Sequence, residues 1–209
     1  MLNLLFIICI LLIFLFINNP EYFITAPVRA SDNNSYRVIK SFDDYNEASN
    51  VMSKINKFIV KMLKHLKNNF VINKNGTPNE IAFVQRLLKN YNPDSVFENL
   101  PIFGGNTSFV VNKGASFGIC LRNKQNYGMH DFALIKFVIL HEMTHMGTIM
   151  YGHDYEFWSW FKFMTVEAHK AGIYKPINYA NGNVNYCGLN ITFNPFYSTY
   201  DWQDPKANP

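Results

Sequence analysis

Phe137-Val138-Ile139-Leu140-His141-Glu142-Met143-Thr144-His145-Met146 sets two histidines four residues apart behind four apolar residues, with a glutamate beside the first histidine. The apolar lead-in marks a helix sunk in a core. On such a helix His141 and His145 project from one face a turn apart, so both imidazoles reach a single tetrahedral ion at about 2.0 to 2.1 Å. Glu142 is displaced by one position, which takes it out of the ligand set and leaves it placed to act as a base toward the attacking water. A polar cluster at core depth is tolerated when a cation occupies it. The stretch therefore predicts a Zn2+ site with its own base, and the rest of the chain is organised around it.

Working outward, the ion needs a third protein ligand. Tyr151-Gly152-His153-Asp154 offers His153, eight residues past His145 with a flexible glycine in front of it. Glu167 in the next helix is the rival, and Glu156 a third choice. Asp131 suits the N-cap of the metal helix, and Gly147 suits a turn after His145. From Asp154 to about Ala171 the pattern is an aromatic helix. Phe157, Phe161, Met164 and Ala168 recur at helical spacing as a core stripe, with Gly172 as the stop.

Upstream, Ser41-Phe42-Asp43-Asp44 has capping character. Val51, Ile55, Phe58, Ile59, Met62, Leu63 and Leu66 then fall on one side of a helix running to about Asn68. Lys54, Lys57, Lys61, Lys64 and Lys67 fall on the other side. This face is either a solvated exterior or a docking surface for anionic lipid or nucleic-acid phosphate. His65, at its boundary, reads as a surface histidine. Asn75-Gly76-Thr77-Pro78 is a turn, and Ile81, Val84, Leu87, Leu88 and Tyr91 support a second helix. A loop is expected over 92–107. Ser108-Phe109-Val110-Val111 and Phe117-Gly118-Ile119-Cys120-Leu121 form two short strands around Asn112-Lys113-Gly114, either a core hairpin or an edge that receives extended substrate. Asn185 to Thr192 is a terminal strand or loop.

The chain has 209 residues, 48% of them hydrophobic, and a net charge of +4, which suffices for one ordinary core and is too mild to demand a polyanionic partner. Its three cysteines, Cys9, Cys120 and Cys187, lack CxxC spacing, so zinc is not held by thiolates. Cys120 and Cys187 are expected as isolated buried thiols, with pairing as the alternative in an oxidising compartment. Leu4 to Ile17 is an unbroken apolar run ended by Asn18-Asn19-Pro20. Its length suits a secretory segment, but a basic n-region and a well-placed cleavage site are missing, which favours an uncleaved anchor. The expected organisation is a membrane anchor or signal segment over 1–24, a polar tether over 25–40, a catalytic domain over 41–195 and a flexible tail over 196–209. The expected location is a single-pass membrane protein, or a secreted one if the segment is cleaved.

His141-Glu142-x-x-His145 followed by Gly152-His153-Asp154-x-x-Phe157 resembles the WLM and SprT-type zinc metallopeptidases. Asn106 to Gly114, Cys120-Leu121-Arg122 and Tyr186-Cys187-Gly188 resemble WLM-like proteins of large DNA viruses. The resemblance covers roughly residues 40–195. It implies an α+β zincin domain, with helices on a small, mostly antiparallel sheet preceded by an N-terminal hydrophobic helix. It further implies Zn2+ on His141, His145 and His153, Glu142 as general base, and hydrolysis of a polypeptide substrate. Many members have a shorter gap before the third histidine. Tyr151, Tyr155, Tyr174, Tyr179 and Tyr186 are the candidates for steadying the oxyanion. Two other classes of function stay open: a catalytically silent zinc-containing binding or structural module of a virion or membrane assembly, and docking on lipid or nucleic acid through the basic helix 44–68.

Overall fold

Thr25–Arg29 (β1) and Ser35–Ile39 (β2) pair antiparallel, with Ala26 opposite Val38 and Val28 opposite Tyr36. This hairpin lies in the stretch expected to be a tether, and that expectation is corrected. Ser31-Asp32-Asn33-Asn34-Ser35, which reads as linker, is the reversal itself. Asn33 takes a left-handed φ of 66°, and Asp32 Oδ1 accepts from Asn34 N–H at 3.1 Å. Pro27 is tolerated because β1 is an edge strand. The computed structural model describes residues 6–10, 24–100, 107–180, 182 and 184–199.

The five-stranded sheet runs β1-β2-β3-β5-β4, with Val96–Asn99 as β3, Phe109–Val111 as β4 and Ser116–Cys120 as β5. The outer pairs are antiparallel and the inner two are parallel. The α+β class is as expected, and the β4–β5 hairpin forms around Asn112-Lys113-Gly114. β3 lies within the expected loop. Its Glu98 disguised it: the side chain is only 1% exposed yet paired, with Oε1 accepting from Arg122 Nε at 2.7 Å and Oε2 from Ile39 N–H at 2.7 Å. Arg122 also reaches Asp44 Oδ2 at 2.7 Å, so Asp44 begins the next helix without a side-chain cap.

That helix, α1 (Tyr45–Leu66), buries Met52, Ile55, Phe58, Ile59, Met62, Leu63 and Leu66 against the sheet side and leaves Lys54, Lys57, Lys61 and Lys64 of its outer stripe exposed, with Lys67 exposed just past its end. A π-helical turn over Lys67–Ile72 extends it. Thr77 and Glu80 form a reciprocal capping box at the start of α2 (Pro78–Asn90), whose Phe83, Val84 and Leu87 are buried. α3 (Phe132–Gly147) carries buried residues on nearly every side because it packs on both α2 and α4 (Tyr155–Lys170) and also touches α1 and β4. Gly147 serves close packing rather than a turn: a Cβ there would sit 2.4 to 2.8 Å from the Phe83 ring. Val184–Tyr186 (β6) and Leu189–Ile191 (β7) form a small separate hairpin.

Three further expectations change. Cys120 and Cys187 are disulfide-bonded rather than isolated thiols. The chain stays ordered past residue 195, where Pro195–Tyr197 makes a 3-10 turn, Asn194 Nδ2 donates to Tyr174 Oη at 3.0 Å, and Lys162 Nζ donates to Ser198 O at 2.7 Å. The single-pass membrane location is not sustained, because among the described residues no helix is long and apolar enough to cross a membrane. Of the apolar run only residues 6–10 are described, as a short helix; its remainder, and the tail from residue 200, lie outside the described residues.

Candidate metal centre

Helical spacing brings His141 and His145 together, and a turn delivers the third ring. Arg86 Nε donates to Gly147 O at 2.7 Å and Asn90 Nδ2 to Met146 O at 2.8 Å, so α2 satisfies carbonyls at the C-terminus of α3. Lys113 Nζ holds Met150 O at 2.7 Å. Gly152, at φ 99°, then turns the chain back, and Asp154 caps α4 by accepting from Phe157 N–H at 3.0 Å. His153 sits inside this fixed bend.

The Nε2 atoms of the three histidines converge: 3.3 Å between His141 and His145, 3.2 Å between His145 and His153, and 2.9 Å between His153 and His141. A zinc tetrahedron with about 2.0 to 2.1 Å to nitrogen has edges of about 3.3 Å, so the donor set fits such an ion. Burial and the neighbouring rings hold His141 well below the usual imidazole range. Burial, followed by the neighbouring His153, takes His145 to about 4, and burial lowers His153 as well. All three are thus kept in the neutral, lone-pair form that binds metal.

The rings are steadied from behind by Phe157, whose centroid lies 4.8, 4.4 and 4.6 Å from those of His141, His145 and His153. The sequence shows Phe157 as part of a core stripe and of the Gly152-His153-Asp154-x-x-Phe157 motif, but not as the ring behind all three imidazoles. Its position four residues past His153 was the available signal. Glu142 is 6% exposed beside the triad, and burial pushes its carboxyl up to about 8.

Glu167 does not join the cluster. Its Oε2 lies 2.9 Å from His65 Nε2, and its Oε1 accepts from Lys170 Nζ at 2.7 Å. His65 is therefore a half-buried partner of Glu167 rather than a plain surface histidine. Glu156 stands in the first turn of α4, outside the group of three.

A cleft of about 590 Å³ opens over His141, Glu142, His145 and His153, with the β4 edge along one rim. An adjoining cavity of about 360 Å³ shares His141, Glu142 and His153 and is walled by Trp158, Leu189 and Phe193. Of the five tyrosines considered, Tyr151 lines the main cleft, whereas the Tyr186 hydroxyl is committed to Cys120 O at 2.7 Å and Ser108 Oγ at 2.6 Å. Tyr174 and Tyr179 are buried, and Tyr155 is the first residue of α4.

Comparison with known proteins gives the family of the chain. The chain is 27% identical over 189 residues to the uncharacterised protein R325 of Acanthamoeba polyphaga mimivirus, covering 90% of this chain and 93% of that protein. It is 33% identical over 76 residues to the DNA-dependent metalloprotease WSS1 homolog 2 of Schizosaccharomyces pombe, covering 36% of this chain and 26% of that protein. No solved structure matches the chain. The WLM domain family matches residues 31–188, a span that takes in the β1–β2 turn and the whole centre, and the chain belongs to that family.

Proposed function

We propose that the protein is a zinc-dependent metallopeptidase in which His141, His145 and His153 hold the metal and Glu142 is the general base. The observation that carries this reading is the convergence of three neutral imidazole nitrogens beside a buried carboxyl at the floor of an open cleft. Membership of the WLM family and the metalloprotease named among its relatives support the same class.

When bound, zinc supplies Lewis acidity that brings a water's pKa toward about 7 and polarises a peptide carbonyl. The chain's own groups supply the remainder. The β4 edge, Phe109–Val111, aligns an extended polypeptide by strand addition across the histidines. Glu142 takes the proton from the attacking water and returns it to the leaving nitrogen. A carboxyl that burial lifts toward neutral pH suits both transfers. Phe157 and Phe161 keep water from the back of the imidazoles, and Tyr151, which lines the cleft, is the candidate donor to a developing oxyanion.

The test is zinc content together with cleavage of casein or a peptide library by the full chain and by Glu142→Gln. The reading predicts retained zinc with at least about a 100-fold loss of cleavage in the variant. A variant that keeps its zinc and cleaves like wild type contradicts the assigned base.

A second surface has its own observation. Lys54, Lys57, Lys61 and Lys64 along α1 and Lys67 at the start of the π-helical turn are all exposed, a face suited to phosphate groups of nucleic acid. We propose it as an accessory docking surface, tested by the salt dependence of DNA binding.

A further inference from the structure

We propose that Cys120, His130 and Cys187 form a second metal site, which takes Zn2+ when the Cys120–Cys187 bond is reduced. Three separate parts of the fold meet there. Cys120 ends β5, His130 immediately precedes the Asp131 cap of α3, and Cys187 occupies the β6–β7 turn at a left-handed φ of 50°. Their ligand atoms all lie within 4.8 Å of one another.

The disulfide alone does not account for His130. Its Nε2 lies 3.4 Å from Cys187 Sγ and accepts from Cys187 N–H at 3.2 Å, so Nε2 is the unprotonated ring nitrogen, its lone pair turned to Cys187, and the ring proton belongs on Nδ1. In a tetrahedral zinc site with about 2.3 Å to sulfur and 2.0 to 2.1 Å to nitrogen, the two donors stand about 3.5 Å apart. Both cysteines are 0% exposed, which shields a thiolate pair from water. Their Cα atoms are 6.5 Å apart, toward the wide end of what a disulfide spans, leaving room for the sulfurs to separate by side-chain rotation.

Reduction by a dithiol delivers two electrons and two protons to the Cys120–Cys187 bond, leaving two thiols and an oxidised reductant. In that state the Arg122 carbonyl oxygen, 3.1 and 3.3 Å from the two sulfurs, accepts their S–H groups. Zn2+ then displaces both thiol protons to solvent and recruits His130 Nε2, whose lone pair exchanges the Cys187 N–H for the ion without a change in the ring's protonation. The consequence reaches the cleft. Leu189 lines both cavities and Ile191 the smaller one, and their hairpin is fastened to the sheet through Cys187. Where a compartment keeps thiols reduced, the ion replaces the covalent bond as the fastening of that wall.

Cobalt(II) titration of the full chain tests this, before and after reduction with a trialkylphosphine, which adds no thiol of its own. The reduced protein is expected to develop a near-ultraviolet thiolate-to-cobalt absorption that saturates at one ion per chain beyond the one held by the three histidines and is bleached by Zn2+. The oxidised protein is expected to show none. The three-histidine centre has no sulfur and cannot produce this band, so the outcome is independent of the peptidase reading. Cys187→Ser should remove the band, and His130→Ala should weaken cobalt binding by about tenfold or more. Two titratable thiols at positions 120 and 187 with no band would overturn the proposal, as would a band that Cys187→Ser leaves intact. Should Cys187→Ser fail to fold, the oxidised and reduced wild-type proteins decide the question between them.

Discussion

The two clusters of ligating side chains are assembled in opposite ways. His141, His145 and His153 come from thirteen consecutive residues, so one helix and one glycine turn set every distance among them. Cys120, His130 and Cys187 come from a strand end, the approach to a helix and a hairpin turn, and the two cysteines are 67 residues apart. A site made by helical period survives as a local pattern in the chain. One made by sheet order exists only after the topology does.

The sharpest way to break this contrast is to attack the local cluster. His145→Ala should weaken zinc binding at least about 100-fold and abolish cleavage, whereas Glu167→Ala should leave zinc binding unchanged because its carboxylate serves His65 and Lys170. Competition against a chromophoric chelator reads both. A loss of zinc in Glu167→Ala would return that residue to the ligand set.

The long-range cluster is expected to matter chiefly for stability. In the metal-free protein, reducing a bond that closes a 67-residue separation should cost about 3 to 4 kcal/mol in denaturant unfolding, with no change in the spacing of the three histidines. Next in size is the buried base. In the metal-free fold, burial lifts the Glu142 carboxyl to about 8, so the fold keeps it protonated where the unfolded chain has already ionised. The stability this provides is complete below the unfolded pKa of about 4.3 and is lost as pH rises through 8. Glu142→Gln should therefore gain roughly 2 to 3 kcal/mol over wild type at pH 9 and almost nothing at pH 4, once relaxation around the buried group is allowed for. Urea unfolding at the two pH values checks this, and equal stabilities at pH 9 would contradict it. The lysine stripe is the smallest term. Substituting Lys57, Lys61 and Lys64 with alanine should shift stability by less than about 0.5 kcal/mol and lower the log-log salt slope of DNA binding by about 0.9 per lysine that contacts phosphate.

What could be read before folding follows the same division. The helix that carries His141 and His145, the core stripe of α4, the amphipathic α1 and the β4–β5 hairpin all have short periods, and each appears where its spacing places it. The β1–β2 hairpin was hidden because Pro27 and a run of small polar residues read equally well as a linker until Val28 and Val38 have a core to enter. Strand β3 was hidden by Glu98, whose burial makes sense only once Arg122 arrives from 24 residues away. The Cys120–Cys187 bond likewise needs the hairpin to be delivered to the end of β5. Phe157 was visible as core, but its contact with three imidazoles depends on how the 148–153 bend sets α4 against α3.

Zinc-edge X-ray absorption on the oxidised full chain, wild type beside His153→Ala, tests the central assignment most directly. The account predicts a shell of imidazole nitrogens at about 2.0 to 2.1 Å with no sulfur, and loss of one imidazole or of the metal in the variant. Sulfur scattering at about 2.3 Å in the oxidised protein, or a shell that His153→Ala leaves unaltered, would contradict it.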